Sequence, residues 1–461
     1  MSKNYSKSNY KANTAGLLPK IMALGFPVAI QSALVAILSL ADVLMVSDFG
    51  QAATASVGIA SKWHFIATMI IGGMASANGI LVAQYWGKND RTCAKTISIL
   101  ALTNGIKILI PVTLIITVFS TYLMRIQTND LNVIELGSTY LWYSLPVLLL
   151  THVVMIYESA FRSSGDTFTP LIFGAFTILI NIVLNYLLIK GGFGIPAMGV
   201  AGAALATTIS RFLQVSLMSL YLYWRRHWLL YASLLPHYLP LWQSYKKIAI
   251  PSTLSALIWA AGVMAYQTIF GHLGTTELAV FSMIGPFESL CYSIFFGISV
   301  ACSVLLGQSL GKDQFVDAQQ ISAFFIKIVI ILGIFTGLML ILTKQSVLIW
   351  LNLDSQQFYP LAAPALTILS CSIWLQMLNT VIINGILRAG GDNHFCLRMD
   401  FICSWLIGVP ITAYAAFILH WEFHYVYMIM LTESIVKLLL CSQRYLKQHW
   451  IKNLTLATNI R

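Results

Sequence analysis

Long uncharged stretches, apolar on every face, dominate the sequence. Those of about 20 residues match the hydrocarbon core of a bilayer: 21–41, 63–86, 136–157, 167–189, 248–270, 289–311 and 401–421. Transmembrane β-strands are shorter and alternate apolar with polar residues, which these stretches do not. The pattern therefore predicts an all-α integral membrane protein.

Together with less uniform stretches, the pattern predicts twelve spans: 21–48, 54–83, 96–123, 136–161, 168–190, 197–223, 248–271, 278–309, 317–343, 358–387, 396–420 and 423–442. The one long connection, 224–247, is basic and divides the chain. We therefore expect an N-terminal six-helix lobe (1–223), a cytoplasmic linker (224–247), a C-terminal six-helix lobe (248–445) and a cytoplasmic tail (446–461).

The distribution of charged residues indicates how the predicted spans are oriented across the membrane. Only 9% of the residues are Asp, Glu, Lys or Arg, where a soluble domain carries about a quarter. The net charge of +11 does not indicate a nucleic-acid partner, because the positive residues lie between spans rather than along one helix face. They cluster before span 1, after span 2, between spans 6 and 7 and after span 12. The positive-inside rule then places both termini in the cytoplasm, with the spans in the inner (plasma) membrane.

The two halves of the chain are repeats of each other. An offset of 224 or 226 residues relates matching positions: Pro27 and Pro251, Gly50 and Gly274, Gly73 and Gly297, Gln84 and Gln308, Gly87 and Gly311, Arg162 and Arg388, Gly165 and Gly391, Asp166 and Asp392. Six spans return the chain to its starting side, so the repeats share one orientation and are related by an axis along the membrane normal. Such a pair of bundles encloses a central cleft.

Several motifs resemble the multidrug and toxic compound extrusion (MATE) family, in its NorM- and DinF-like bacterial branch. They are Gly25-Phe-Pro27, Leu40-Ala-Asp42, Gln84-Tyr-Trp-Gly87, Phe161-Arg-Ser-Ser-Gly165-Asp166, Asn181-Ile-Val-Leu-Asn185 and Gly199-Val-Ala-Gly202, with Leu387-Arg388 and Gly390-Gly391-Asp392 in the second half. Their order covers nearly the whole N-terminal half. The resemblance implies a V-shaped pair of six-helix lobes. It also implies an antiporter, not an enzyme, that exports amphipathic and often cationic compounds against protons or sodium ions, without a cofactor.

The sequence departs from the family at one site. NorM-like members carry a glutamate in span 7 and an aspartate in span 10, where this chain has Trp259 and a position near Met377. A sodium site built on that acidic pair is therefore not expected here.

Asp42 is the first candidate for ion coupling. A carboxylate inside a span costs on the order of 2.5 to 3.5 kcal/mol on insertion scales, and burial favours its neutral, protonated form. The functional interpretation is a proton or cation site. The alternative is structural, because span 1 ends a few residues later, so that Asp42 reaches the outer interface or is neutralised by Lys62.

Asn181, Asn185 and Thr207 complete the candidate site. The two asparagines are four residues apart, so they share one helical face within an apolar run. The resemblance implies that these three residues join Asp42 in one polar network of the N-terminal lobe. Helix–helix hydrogen bonding without a ligand is the alternative. We expect a proton rather than sodium at this site, because it contains a single carboxylate among neutral groups.

The substrate cleft is expected to be apolar and aromatic, because such walls adapt to varied ligands. The candidates are Lys62, Trp259, Tyr266, Met283, Phe287, Glu288 and Met377. Lys62 and Glu288 are charges within spans that the family motifs do not explain. They either pair with each other or with Asp42, contact substrate, or lie near the outer interface. Besides substrate, we expect only membrane lipids as partners, with the chain a monomer.

Three other functions fit the sequence less well than transport does. A lipid-linked oligosaccharide flippase of the same superfamily would need cations lining the cleft for a pyrophosphate, and only Lys62, Lys107 and Lys327 lie at depth. An integral-membrane enzyme would need a catalytic cluster, and the sequence has no HExxH, GxSxG or CxxC motif. A channel would need a repeated filter segment or a charged ring, and neither is evident.

Overall fold

The computed structural model describes residues 16–47, 49–192, 194, 196–231, 239–351 and 353–455, excluding the side chains of 39–44, 47 and 286. Eleven described helices are long and apolar enough to cross a membrane, and a bent pair makes a twelfth span. The prediction of an all-α protein with twelve spans is confirmed. The spans are α1 (Leu17–Ser47), α2 (Gln51–Gly87), α3 (Arg91–Val118), α4 (Leu131–Tyr143 with Val147–Ser163), α5 (Phe168–Lys190), α6 (Gly199–Trp224), α7 (Leu239–Leu273), α8 (Thr275–Gly311), α9 (Phe315–Leu342), α10 (Tyr359–Leu387), α11 (Asn393–Phe417) and α12 (Phe423–Leu446).

Helix α7 begins earlier than the apolar pattern predicts. It starts at Leu239, so the last residues of the predicted 224–247 linker are helical. This first part carries Lys246 and Lys247 and buries Leu241 and Tyr245 against the N-terminal half. A hydropathy pattern marks where a helix enters lipid, whereas the helix itself continues into the polar region for as long as it has a surface to pack on.

Breaks in three helices have local causes. Pro146 interrupts α4, and its two segments are bent by 49°. Helices α10 and α11 each contain a π-helical segment, Val381–Leu387 and Ile402–Gly408. Such segments insert one residue into a helical turn and so redirect the side chains that follow.

Contacts between the two halves obey the repeat. Helix α1 packs on α8 and the equivalent α7 packs on α2, while α2 also packs on α8. Pro27 and Pro251 lie inside α1 and α7, near their first thirds. Each half otherwise packs mainly on itself, for example through α5 with α6 and α9 with α10.

The halves meet at one end of the bundle, where α1 and α7 begin and α2 and α8 end. We call this the basic end, because the loops and helix ends there carry Lys88, Arg91, Lys246 and Lys312. Most residues of α2 from Ile71 to Gly87 are buried and none is exposed, whereas the opposite half of the helix is largely exposed or half-buried. The central cleft is therefore closed at the basic end.

Candidate coupling and substrate sites

A buried polar cluster joins α5 to α6 in the N-terminal half. Asn181 Nδ2 donates to Ser210 Oγ at 3.1 Å and to Thr207 Oγ1 at 3.5 Å, and Asn185 Nδ2 donates to Asn181 Oδ1 at 3.0 Å. Helical spacing of four places the two asparagines on one face. The structure therefore brings together three of the four predicted coupling residues and adds Ser210, one turn beyond Thr207.

Asp42 lies in helix α1 by its backbone, but its side chain is outside the described residues. Helix α1 packs along α5, which carries the two asparagines. The helix that carries the predicted carboxylate is therefore adjacent to the cluster. Its role as the coupling acid stays a prediction.

A second polar group of the N-terminal half lies nearer the basic end. Gln31 Nε2 donates to Glu158 Oε1, and Arg162 donates both to Gln31 Oε1 and to Glu158 Oε2, each at 2.8 Å. Glu158 and Arg162 are one helical turn apart on α4, so the triad ties α4 to α1. Gln31 Nε2 and Arg162 Nη2 thus donate to partners within the protein, which fits a structural role for Glu158 and Arg162.

The C-terminal half contains an ionic network that sequence reasoning missed. Lys437 of α12 lies 3.2 Å from Asp400 of α11 and 3.1 Å from Glu433. Asp400 also pairs with Arg388, and both Asp400 and Arg388 bond Ser255 of α7. The network therefore links α7, the end of α10, α11 and α12. The internal repeat could have indicated this network. An offset of 226 residues relates Glu433 and Lys437 to Thr207 and Arg211, and Thr207 is one of the predicted coupling residues.

The predicted cleft residues fall into two groups. Lys62, Trp259 and Met283 are exposed, with Trp259 50% exposed. The Trp259 ring lies 6.3 Å from that of Phe65 on α2, across the interface. The two rings meet where α7 packs on α2.

The other predicted cleft residues belong to the C-terminal half. Met377 is completely buried there, and Tyr266 is buried with its hydroxyl bonded to Glu433. Neither side chain is open to the cleft. Phe287 is half-buried with its ring 6.4 Å from that of Trp350, and Glu288 is half-buried beside Tyr292 and Gln376. Glu288 therefore has its polar partners within the C-terminal half, whereas the Lys62 side chain is exposed.

The basic end is closed by paired contacts that follow the repeat. Gln308 Nε2 donates to Ser163 O at 3.0 Å, and Gln84 Nε2 donates to Ala389 O at 2.8 Å. Glycines allow this approach, because a Cβ at Gly87 would overlap the Gln308 carbonyl and one at Gly311 would overlap the Gln84 carbonyl. Backbone and amide groups therefore meet directly between α2 and α8.

The C-terminal segment reinforces this closure. Leu454 N donates to Gln84 Oε1 at 2.7 Å, and Asn453 Nδ2 donates to Asp313 Oδ1 at 2.8 Å. The Trp450 side chain is buried within the C-terminal half. The segment after α12 thus contacts both halves at the basic end.

Comparisons with known proteins identify relatives of this chain. The family model described as MatE matches residues 27–187 and again 251–414, one match in each half. The probable multidrug resistance protein NorM of Thermotoga maritima is 24% identical over 402 residues, covering 85% of this chain and 84% of that protein. The probable multidrug resistance protein YoeA of Bacillus subtilis is 23% identical, covering 78% and 79%.

Solved structures agree with the fold. The Vibrio cholerae MATE transporter VcmN in the bent form superposes with a TM-score of 0.84 at 16% identity, covering 96% of this chain and 99% of that one. The eukaryotic MATE transporter AtDTX14 gives a TM-score of 0.85 at 18% identity, covering 96% and 98%. At these identities the superpositions show a common fold.

Proposed function

The chain belongs to the MatE family of multidrug transporters, which are not enzymes, and we propose that it is a proton-coupled antiporter that exports amphipathic, cationic organic compounds. The observation that carries the proposal is the buried Asn181–Asn185–Thr207–Ser210 cluster against α1, the helix of Asp42. The chain acts as a monomer in the inner membrane, with lipid around it.

Orientation follows from the distribution of positive charge. The positive-inside rule assigns the basic end to the cytoplasm. Closure at that end then leaves the cleft open to the outside, the state from which an exporter releases substrate and takes up a proton. The loop and tail residues at the basic end, and not any single helix face, support this assignment.

Coupling is assigned to Asp42 with the α5–α6 cluster as its hydrogen-bonding surroundings. An ionised carboxylate in a dehydrated span is costly, so ionisation favours a conformation that hydrates Asp42. Protonation removes that cost and allows α1, which lacks one backbone hydrogen bond at Pro27, to repack against α5. Each conformation then prefers either the proton or the substrate. One carboxylate among neutral amides and hydroxyls suits a proton better than sodium.

Substrate class follows from the exposed cleft wall. Phe65, Trp259 and Met283 offer aromatic and thioether surfaces, which bind flat hydrophobic cations through stacking and cation–π contacts. Glu288, a half-buried carboxyl group on the same helix as Met283, is the acidic group that we assign to the recognition of a cationic substrate. The substrates are therefore bulky amphipathic cations rather than sugars or phosphates.

The test is ethidium transport in proteoliposomes with an imposed proton or sodium gradient. Asp42→Asn should abolish gradient-driven transport while the protein still folds and binds ethidium. Ser210→Ala, which removes one hydrogen bond of about 1 kcal/mol, should slow transport only severalfold. Asp354→Asn, on an exposed loop, is the matched control. Full proton-driven transport by Asp42→Asn would disprove the assignment of Asp42. Transport driven only by a sodium gradient would show that the coupling ion is sodium and not a proton.

A further inference from the structure

The repeat places an acid and a hydroxyl at equivalent positions in the two halves, but with their helices exchanged. Adding 224 to Asp42 gives Tyr266 on α7, and adding 226 to Thr207 gives Glu433 on α12. The N-terminal half thus has its carboxyl group on the first helix of the repeat and its hydroxyl on the sixth. The C-terminal half has the hydroxyl first and the carboxyl sixth, so it retains an acidic site in the equivalent place.

Hydrogen bonds hold the carboxylate of that second site in place. Tyr266 Oη donates to Glu433 Oε2 at 2.6 Å, and Ser404 Oγ donates to the same oxygen at 3.2 Å. The other oxygen, Oε1, accepts from Lys437 Nζ at 3.1 Å. Ser404 reaches this position from the π-helical segment of α11. Three donors from α7, α11 and α12 therefore converge on this one carboxyl group.

Lys437 lies between two carboxylates. Its Nζ is 3.1 Å from Glu433 Oε1 and 3.2 Å from Asp400 Oδ1, on α12 and α11 respectively. Asp400 stands where the N-terminal repeat has Gly174, so the second half has gained both an acid and its partner. The far oxygen of Asp400 accepts from Ser255 and pairs with Arg388. Two positive and two negative groups therefore balance within one connected network.

This geometry is that of an occupied cation site. Two carboxylate oxygens converge on one positively charged atom, and hydroxyl groups of Ser404 and Tyr266 lie on the same network. Oxygen ligands of this kind bind hard monovalent and divalent cations when no side chain fills the space between them. Here a side chain of the protein fills it, and burial of the four charged side chains to 12–15% exposure limits exchange with solvent.

We propose that Lys437 is a tethered cation that occupies the C-terminal counterpart of the coupling site, so that this half binds no mobile ion. Its ammonium pairs with both Asp400 and Glu433, and the network makes α7, α10, α11 and α12 move as one unit. Only the N-terminal half then exchanges an ion during transport. That last consequence rests on the proposed function, whereas occupation of the site by Lys437 does not.

Removal of the ammonium should turn the network into a sodium site. The test uses purified protein in an Asp42→Asn background, which removes the carboxyl of the N-terminal site. Melting temperature and binding of radioactive sodium are measured in sodium chloride and in N-methylglucamine chloride. Three variants are compared with this parent: Lys437→Met, the double variant Lys437→Met with Glu433→Gln, and Lys327→Met. The last removes an exposed lysine of α9 and is the matched control.

Lys437→Met should lower the melting temperature in N-methylglucamine and recover it in sodium, with a gain that grows with the logarithm of sodium concentration. The added Glu433→Gln should remove both the sodium binding and that gain. The Asp42→Asn parent and Lys327→Met should not respond. If Lys437→Met fails to fold, Lys437→Gln takes its place, because it keeps a hydrogen-bond donor.

Two results would overturn the proposal. Sodium binding by the Asp42→Asn parent that Glu433→Gln abolishes would show that a mobile ion already uses the site. A folded Lys437 variant with no sodium binding would show that the network only holds helices together. Neither result depends on transport, so the proposal and the coupling role of Asp42 fail separately.

Discussion

The side-chain amide of Gln84 on α2 donates a 2.8 Å hydrogen bond to the carbonyl of Ala389 at the end of α10, in the opposite half. Its repeat partner Gln308 does the same to Ser163, the residue equivalent to Ala389. Each half therefore offers one amide and one carbonyl to the other. An opening of the basic end must break both bonds together.

We predict that the pair Gln84→Leu and Gln308→Leu opens the basic end. The substitutions remove these two bonds and the one that Gln84 accepts from Leu454 N. Each lost hydrogen bond contributes about 0.5 to 1.5 kcal/mol, so the equilibrium between closed and open states should shift by roughly tenfold or more. Spin labels at Lys88 and Lys312, exposed repeat partners at that end, should report a larger population of long distances. An unchanged distance distribution would mean that the glutamines do not hold the closed state.

The close approach at Gly87 gives a second prediction. Gly87→Ala places a Cβ on the Gln308 carbonyl, and overpacking of this kind costs about 1 to 3 kcal/mol. Gly72→Ala on the same helix meets open space and should be neutral or slightly stabilising. Melting temperatures of the two variants should therefore differ in sign relative to the parent. Equal melting temperatures would show that α2 and α8 are farther apart than described.

Trp259 should contribute to substrate binding rather than to coupling. Its ring lies 6.3 Å from that of Phe65 across the interface between the halves, and loss of an aromatic partner costs about 0.5 to 1.5 kcal/mol. Trp259→Ala should therefore raise the apparent KM for aromatic cations two- to tenfold or so and leave the number of protons per substrate unchanged. Trp224→Ala, at the exposed end of α6, is the control. A changed proton stoichiometry would contradict this role.

His227 predicts a pH dependence of stability. It follows α6 and packs on Phe161, with ring centroids 4.8 Å apart, and burial lowers its pKa from 6.5 to about 4. Between these pH values the unfolded chain binds a proton that the folded protein does not, so stability falls as the pH is lowered from 6.5 towards 4. His227→Phe should reduce this slope in melting temperatures measured from pH 7.5 to 4.5. Replacement of the exposed His449 should not; an equal slope in both variants would refute the prediction.

Part of the candidate site could be found without coordinates. Asn181, Asn185 and Thr207 stand out because polar residues in an apolar span are few, and the spacing of four puts the asparagines on one face. Ser210 was missed because a serine in a membrane helix can also bond its own backbone, as Ser210 does to Thr207 O. Its second partner, Asn181, becomes evident only when α5 and α6 are packed together.

The ionic network of the C-terminal half was missed for a different reason. The first half has Asp42 where the second has Tyr266, so a comparison of α1 with α7 alone finds no carboxyl group in the second half. The carboxyl group of the second half is instead that of Glu433 on α12, which accepts a hydrogen bond from Tyr266 although the two residues are 167 positions apart in the chain. A position-by-position comparison tests one helix at a time, whereas a site needs only that the group be present on either of two facing helices.

The amino-acid sequence by itself determined the number of spans, the duplication and the family, because hydropathy and repeat spacing are properties of the chain read in one dimension. Only the tertiary structure decided which charges neutralise one another and which end of the cleft is closed. Lys437 pairs with both Asp400 and Glu433 because α11 and α12 pack side by side. Such pairing depends on the distances between packed helices, and the order of residues along the chain does not give those distances.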